Sequence, residues 1–150
     1  MEHELEAKSD KRDERLALLI WYRFSRIYSQ SVRDSELHLK AWDLTVAQFD
    51  VIAQIGLNKR LTQGQLAEKL LVTKGNITQL LSRLEQAGFI QREQEWKVKH
   101  VSLTDKGKAL YEQVVPVQER FQASHFEALD REEKEQLLHL LKKLSARTTE

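Results

Sequence analysis

The chain of 150 residues contains no cysteine, one proline and five glycines. Without cysteine it has no disulfide, no thiolate zinc site and no thiol for catalysis or for oxidation sensing. So few glycines and prolines argue against an all-β chain, which needs many turns, and favour helices. The longest unbroken apolar run, Leu16 to Tyr22, is far shorter than the roughly 20 residues that a membrane-spanning helix needs. The acidic N-terminus shows no apolar signal segment, so we expect a cytoplasmic protein that does not contact membranes.

Enzyme motifs are also missing. The sequence has no glycine-rich phosphate loop, no nucleophile elbow and no Cys/His pair. Two metal ligands on one helical face need a short, regular spacing, which is absent among the five histidines His3, His38, His100, His125 and His139. We therefore expect no enzyme activity, no cofactor and no bound metal.

Charge is unevenly distributed along a nearly neutral chain of net charge +1. Residues 58–108 hold ten basic and five acidic side chains, a local net charge of +5, whereas the two flanks together carry 14 bases and 18 acids. A basic centre between acidic flanks is typical of a surface that binds a polyanion. The same count is also consistent with ordinary solvated lysines, so charge alone does not decide.

Helix boundaries in the middle of the chain are marked by capping residues. Thr45 to Gln48, Thr62 to Gln65 and Asp130 to Glu133 each have the spacing of a capping box, and Thr73 is a fourth N-cap. Gly56 and Gly88 are expected to end the helices that begin after Thr45 and Thr73. These signals predict helices over 46–56, 63–70 and 74–87. The linker between the last two, Leu71 to Thr73, is so short that they must cross as a helix-turn-helix.

After Gly88 the apolar spacing changes from 3.6 to 2 residues, which predicts a β-hairpin with strands 89–93 and 97–103 and a turn over 94–96. Wide apolar stripes predict helices over 10–33, 105–127 and 131–146, with a kink at Pro116. The fold class is thus mainly α with a small β-hairpin wing. We divide it into a winged helix-turn-helix over 37–108 and a helical dimerisation region made of 1–36 and 109–150. The alternative is a compact monomer whose terminal helices form a cap.

The third helix of the middle unit carries the functional prediction. Its buried stripe is Ile77, Leu80, Leu81 and Leu84, which leaves one acid-free face for solvent: Thr73, Lys74, Gly75, Asn76, Thr78, Gln79, Ser82 and Arg83. Asn76 and Gln79 match the hydrogen-bonding edge of adenine, and Lys74 and Arg83 can bind phosphate or, for Arg83, guanine. Gly75 permits close approach to DNA. A polar, solvated helix face is the alternative.

Two sequence motifs come after the recognition residues of this helix. Leu84-Glu85-Gln-Ala-Gly88-Phe-Ile-Gln-Arg92 follows it, and Leu103-Thr104-Asp-Lys-Gly107 follows the hairpin. Together with Leu66-Ala67 and Thr73 through Arg83, they make residues 45–108 resemble the MarR family of bacterial winged helix-turn-helix regulators.

This resemblance implies a homodimer with intertwined terminal helices. Its paired recognition helices would read successive major grooves of a palindromic site in double-stranded DNA, with wings at the minor groove. Family members usually repress transcription, and many release DNA when a small anionic or phenolic ligand binds. The resemblance also places Thr62 and Arg92 among the DNA-binding residues, Arg92 with a phosphate-binding or structural role.

The hairpin departs from the family pattern. Family wings usually carry Asp-x-Arg or Asp-Arg-Arg at the tip, whereas this hairpin is about three residues shorter and offers Glu95-Trp96-Lys97. Lys97 and Lys99 are the cations available for wing contact, and Lys suits a narrow minor groove less well than Arg. Trp96 either packs on the sugar–phosphate backbone or covers the hairpin.

An effector pocket is predicted from aromatic residues in segments that should meet where the dimerisation and DNA-binding parts join. A crevice of this kind, with one titratable group, suits a small aromatic or acyl anion. Its candidate residues, for which plain core packing is the alternative, are Trp21, Phe24, Tyr28, His38, Trp42 and Phe49.

Together these features predict a ligand-responsive, sequence-specific repressor. Two other functions remain open at this stage. A winged-helix module can bind proteins instead of DNA, and an architectural protein would bind duplex DNA with no sequence preference.

Overall fold

The computed structural model describes the backbone of residues 2–146 and the side chains of residues 10–146; His3 and both ends of the predicted dimerisation region lie outside the described side chains. The chain forms six α-helices, a 3₁₀ turn and three short strands within this range. In chain order they are α1 (Glu2–Leu39), the 3₁₀ turn (Lys40–Trp42), α2 (Val46–Asn58), β1 (Leu61–Thr62), α3 (Gln63–Leu70), α4 (Lys74–Gln86), β2 (Ile90–Glu95), β3 (Val98–Leu103), α5 (Asp105–Ser124) and α6 (Arg131–Ser145). The predicted fold class, mainly α with a small β wing, is confirmed.

Capping determines where the helices begin, as the sequence predicts. Complete capping boxes open α2 at Thr45, α3 at Thr62 and α6 at Asp130, and the Thr73 hydroxyl accepts a hydrogen bond from the Asn76 N–H at the start of α4. Each cap satisfies backbone groups that would otherwise lack a partner, and a cap contributes about 1 kcal/mol.

The predicted end of α2 at Gly56 is wrong, because the helix continues to Asn58 and its C-cap is Lys59. Gly56 is instead required by packing. A Cβ at this position would lie 2.3 Å from the ring of Tyr111 on α5, so only glycine lets the two helices approach. Gly88, by contrast, follows the C-cap of α4 with φ of 82°, the left-handed conformation predicted for it.

The sheet has one more strand than the sequence predicts. β3 is central, with β2 on one side and β1 on the other, both antiparallel, and Leu61 lies opposite Val101. β1 holds the hairpin against the helices, which a two-stranded ribbon needs to be stable. The β2–β3 turn comprises Trp96 and Lys97 rather than residues 94–96, because Glu95 pairs with Val98.

The two motifs that carry the family resemblance meet where α4 ends and α5 begins. The Thr104 hydroxyl, which caps α5, donates to the Gly88 carbonyl at 2.6 Å. A Cβ on Gly107 would lie 1.9 Å from the Phe89 carbonyl oxygen, so this glycine is needed for the close approach of α5. Lys106 closes the junction by donating to the Ala87 carbonyl and lying over the Phe89 ring. These motif residues therefore hold the wing and α5 to α4.

The hydrophobic core lies mainly within the winged helix-turn-helix, residues 37–108. Fully buried side chains from α2, α3, α4 and the sheet surround Ile52, Ile77 and Val101, and α5 adds Val114. The terminal helices are different. α6 buries none of its residues, and α1 leaves large apolar side chains exposed from Leu16 to Tyr28. No helix in the described range is both long enough and apolar enough to cross a membrane.

Candidate nucleic-acid interface

The outer face of α4 is open to solvent. Thr73, Gly75, Asn76, Thr78 and Gln79 are exposed, and so are the two cations at either end, Lys74 and Arg83. Ser82 is half-buried, while Ile77, Leu81 and Leu84 on the opposite side are fully buried. No acidic residue lies between Thr73 and Arg83. The structure thus presents one cationic, polar surface on α4, built from a helix whose other side is held in the core.

Thr78 fixes α4 to α3. Its hydroxyl donates to the Lys74 carbonyl and accepts from the Gln63 amide, both at 2.8 Å. Sequence reasoning missed Gln63, whose Oε1 is buried and makes no hydrogen bond among the described residues. The pair lies 15 residues apart, so no local pattern could have revealed it. Of the predicted contact residues on α4, Thr78 is the one most constrained by the chain itself.

Thr62 lies at the start of α3, where its hydroxyl accepts the Gln65 N–H. That hydroxyl still has its own proton available to donate, as a phosphate contact would require. Thr62 also belongs to β1 and pairs with His100 of β3. This residue therefore connects the helix-turn-helix to the wing.

Arg92 is engaged within the protein. Its guanidinium donates to both carboxylate oxygens of Glu85, at 3.0 and 3.2 Å, and to the Ser82 hydroxyl at 3.3 Å. Arg92 lowers the pKa of Glu85 through these hydrogen bonds. Of the two roles predicted for Arg92, this geometry favours the structural one, because the side chain joins β2 to α4.

The wing is braced at its tip and carries its charges on separate faces. Glu95 accepts a hydrogen bond from Arg60 at 2.6 Å, which lowers the Glu95 pKa, and its other oxygen lies 3.6 Å from His100. Alternation along each strand puts Lys99 on the side of Val101, which is buried against the helices, and puts Glu93 and Glu95 on the opposite side. The exposed Lys99 therefore lies on the face opposite to Glu93 and Glu95.

The six aromatic residues of the predicted effector crevice do not meet within one chain. Trp21, Phe24 and Tyr28 are exposed on α1, and Trp21 is about 25 Å along the helix from His38. Phe49 belongs to the core. Within one chain, the continuous helix α1 therefore keeps Trp21, Phe24 and Tyr28 away from His38, and a crevice that contains all six residues stays a prediction.

His38 and Trp42 do form a cluster with α5. The His38 ring stacks on Phe121, with centroids 4.2 Å apart, and lies 5.5 Å from Trp42. Its Nδ1 is 2.6 Å from Oε1 of Gln118, a fully buried side chain whose Nε2 makes no hydrogen bond in the described structure. Sequence reasoning missed Gln118, which lies on a helix face that otherwise contributes core residues.

Metal binding finds no support in the part of the chain that the structure describes. No three His, Asp or Glu side chains there come close enough to hold an ion.

Comparisons with known proteins agree on one kind of relative. A model of the MarR family matches residues 42–95. An uncharacterized helix-turn-helix-type transcriptional regulator of Bacillus cereus is 46% identical over 130 residues, which cover 87% of this chain and 88% of the relative.

Two solved structures with the same fold contain DNA. The complex of Staphylococcus aureus MepR with DNA has a TM-score of 0.78 at 25% identity and covers 85% of this chain and 96% of MepR. A cysteine variant of Escherichia coli MarR complexed with operator DNA has a TM-score of 0.78 at 26% identity and covers 85% and 94% of the two chains.

Proposed function

This chain belongs to the MarR family of transcriptional regulators, and we propose from that premise that it is a homodimeric repressor of a palindromic operator, released by a small ligand. Its relatives are DNA-binding regulators rather than enzymes. In this proposal residues 37–108 form the DNA-binding domain, and the segments 1–36 and 109–150 form the dimer.

The observation that carries the proposal is the exposed, acid-free face of α4. Asn76, Gln79 and Arg83 are the side chains on it that can read base edges, and Lys74 and Thr73 are suited to phosphates. Among the described residues, Lys74 and Arg83 make no ion pair with an acid, so these two side chains can bind phosphate without breaking an internal ion pair. Thr62, Lys97 and Lys99 extend the surface to α3 and the wing.

The terminal helices support the homodimer. Exposed apolar side chains on α1, among them Leu19, Trp21 and Ile27, and on α6, Leu140 and Leu144, form a surface too apolar for a monomer in water. A second copy of the chain would cover this surface and would present α4 twice, as a palindromic site requires.

We place the proposed effector site at the cluster of His38, Trp42, Gln118 and Phe121. The unpartnered Gln118 amide supports it, because a carboxylate could accept the free N–H while an aromatic ring stacked on Phe121 or Trp42. Benzoate and octanoate are suitable probes of the aromatic and acyl classes. We expect one of them to weaken DNA binding by the wild-type protein. The same compound should not change DNA binding by Gln118→Met, a variant that keeps the volume of the side chain but lacks the amide.

The DNA proposal is tested with a duplex that the wild-type protein selects from a random-sequence library. We expect one enriched palindrome, and losses of binding free energy of about 1–3 kcal/mol for Asn76→Ala or Arg83→Ala. Lys40→Ala is a matched control, since Lys40 is exposed but lies outside α4 and the wing. Equal binding to all sequences would indicate an architectural protein, and no binding at low salt would indicate a protein-interaction module.

The dimer is tested by sedimentation equilibrium of Leu144→Arg. Placing a charge in the apolar α6 face should produce monomers and weaken DNA binding with them. His139→Arg places the same side chain at an exposed position on the opposite side of α6 from Leu144 and should leave the dimer intact. A wild-type chain that sediments as a monomer would contradict the proposal.

A further inference from the structure

Trp96 lies at the wing tip and is almost completely exposed. Its side chain is 89% accessible, and the ring contact it makes within the described range is with the Lys97 ammonium, 5.6 Å from the ring centroid. An indole this exposed covers no part of the hairpin, which excludes the alternative that Trp96 serves to cover the strands. Water surrounds the largest apolar side chain of the wing, so it is available to a partner.

Trp96 is also one of four described non-glycine residues with a positive φ. Its φ is 59°, in the left-handed region where Gly and Asn are favoured and a bulky residue is strained. A two-residue hairpin turn requires a positive φ at its first residue, so the turn and not the tryptophan side chain determines this conformation. A glycine or asparagine would therefore strain the turn less, and the tryptophan does not stabilise it.

The position of the tip follows from how the wing is held. Arg92 fixes β2 to α4 through Glu85, and Arg60 fixes the outer end of β2 through Glu95. Trp96 is four residues beyond Arg92, about 13 Å at the rise of a strand. Including the radius of α4, roughly 5 Å, the tip extends up to about 18 Å from the helix axis.

That reach matches the spacing of the grooves of DNA. Half a helical turn, about 17 Å, separates the centre of a major groove from that of the neighbouring minor groove. With α4 in a major groove, a reach of up to about 18 Å is enough for the tip of the same wing to contact the adjacent minor groove. The walls of that groove are deoxyribose rings, and proteins that bind there frequently use apolar side chains.

Building on the proposed function, we propose that Trp96 is an apolar minor-groove contact, its indole packing against sugars and base edges while Lys97 and Lys99 bind flanking phosphates. An apolar contact releases no counterions, whereas each neutralised phosphate adds about 0.9 to the slope of log affinity against log salt. Trp96 and the lysines should therefore respond differently to salt.

The test measures affinity for the library-selected duplex between about 50 and 300 mM salt, conditions chosen to span the physiological range. For Trp96→Ala we expect a loss of about tenfold at every salt concentration with an unchanged slope. Lys97→Ala should flatten the slope by about 0.9 for each wing. Trp96→Arg should regain affinity at low salt and steepen the slope, because it exchanges an apolar contact for a charge.

Trp96→Asn is the control for misfolding, since Asn tolerates the left-handed backbone. This variant should be at least as thermostable as the wild type and should bind DNA as weakly as Trp96→Ala. Wild-type affinity in both variants would overturn the inference while leaving the proposed function intact. Loss of the dimer in either variant would also overturn it, by placing Trp96 at a subunit contact. If the wild type itself selects no duplex, the proposed function fails first.

Discussion

Replacing Gly75 with alanine should make the protein more stable and a weaker DNA binder. A Cβ on Gly75 would meet nothing within 4 Å, and its φ lies outside the left-handed region. Neither packing nor backbone conformation within the chain therefore requires glycine there. Alanine in a helix is favoured over glycine by about 0.5–1 kcal/mol, so the melting temperature should rise by about 1–4 °C.

DNA binding should change in the opposite direction. If α4 lies against DNA at Gly75, each added methyl group is inserted into a close-packed contact, at a cost of about 1–3 kcal/mol. A dimer contains two such contacts, at a combined cost of at least about 2 kcal/mol, so affinity for the selected duplex should fall at least about thirtyfold. Thermal denaturation and fluorescence anisotropy of a labelled duplex measure the two effects separately.

Gly64 provides the comparison. It is also exposed in a helix, on α3, and a Cβ there would have nothing within 4 Å. Gly64→Ala should raise stability by a similar amount with a smaller loss of affinity, because the proposal places α4 and not α3 in the major groove. A Gly75→Ala protein that binds DNA as tightly as the wild type would refute the placement of this face against DNA.

Three further substitutions test the chain's internal contacts. Gly56→Ala should lower stability by about 1–3 kcal/mol, measured by urea unfolding, because the methyl group overlaps the Tyr111 ring. Burial raises the pKa of Asp50, so its charged form destabilises the fold as pH rises through that pKa; Asp50→Asn should raise the melting temperature at about pH 7 but not at about pH 3. Arg92→Ala should cost less than about 1 kcal/mol at neutral pH, and less again once acid has protonated Glu85, whose pKa Arg92 lowers, because only the hydrogen bond to Ser82 then remains.

Local signals in the sequence predict most of the helix boundaries. A capping box is complete within four residues, and a left-handed glycine such as Gly88 acts on the turn that contains it. The start of α3 and the end of α4 are therefore readable from the sequence. Gly56 looks the same as Gly88 in the sequence, but Tyr111, 55 residues later, determines its role.

Contacts between residues far apart in the sequence also determine the parts of the site that local patterns cannot predict. β1 is two residues long and has no periodicity of its own; pairing with Val101 and His100 creates it. The six aromatic residues of the predicted crevice do not meet within one chain, because residue type alone does not indicate distance and α1 places Trp21 and His38 far apart. The exposed face of α4 was predictable because a helix with a 3.6-residue period has one buried stripe, and Ile77 and Leu84 define it.

The structure also changes what the local charge of +5 means for binding. Of the ten basic side chains between 58 and 108, Arg60 and Arg92 are paired with glutamates and Lys106 donates to a carbonyl. Each of these cations already has a partner in the wing or at one of its junctions, so binding a phosphate would compete with that contact.

Four of the remaining cations lie on α4 and the wing: Lys74, Arg83, Lys97 and Lys99. A dimer would present eight of them, for a slope of log affinity against log salt near about −7. If all ten cations of each protomer contacted phosphate, the slope would approach about −18. A measured slope much steeper than the first of these values would show that cations outside α4 and the wing, such as Lys59 or Lys69, also bind DNA, and that the contact surface extends beyond the face on which the proposal is built.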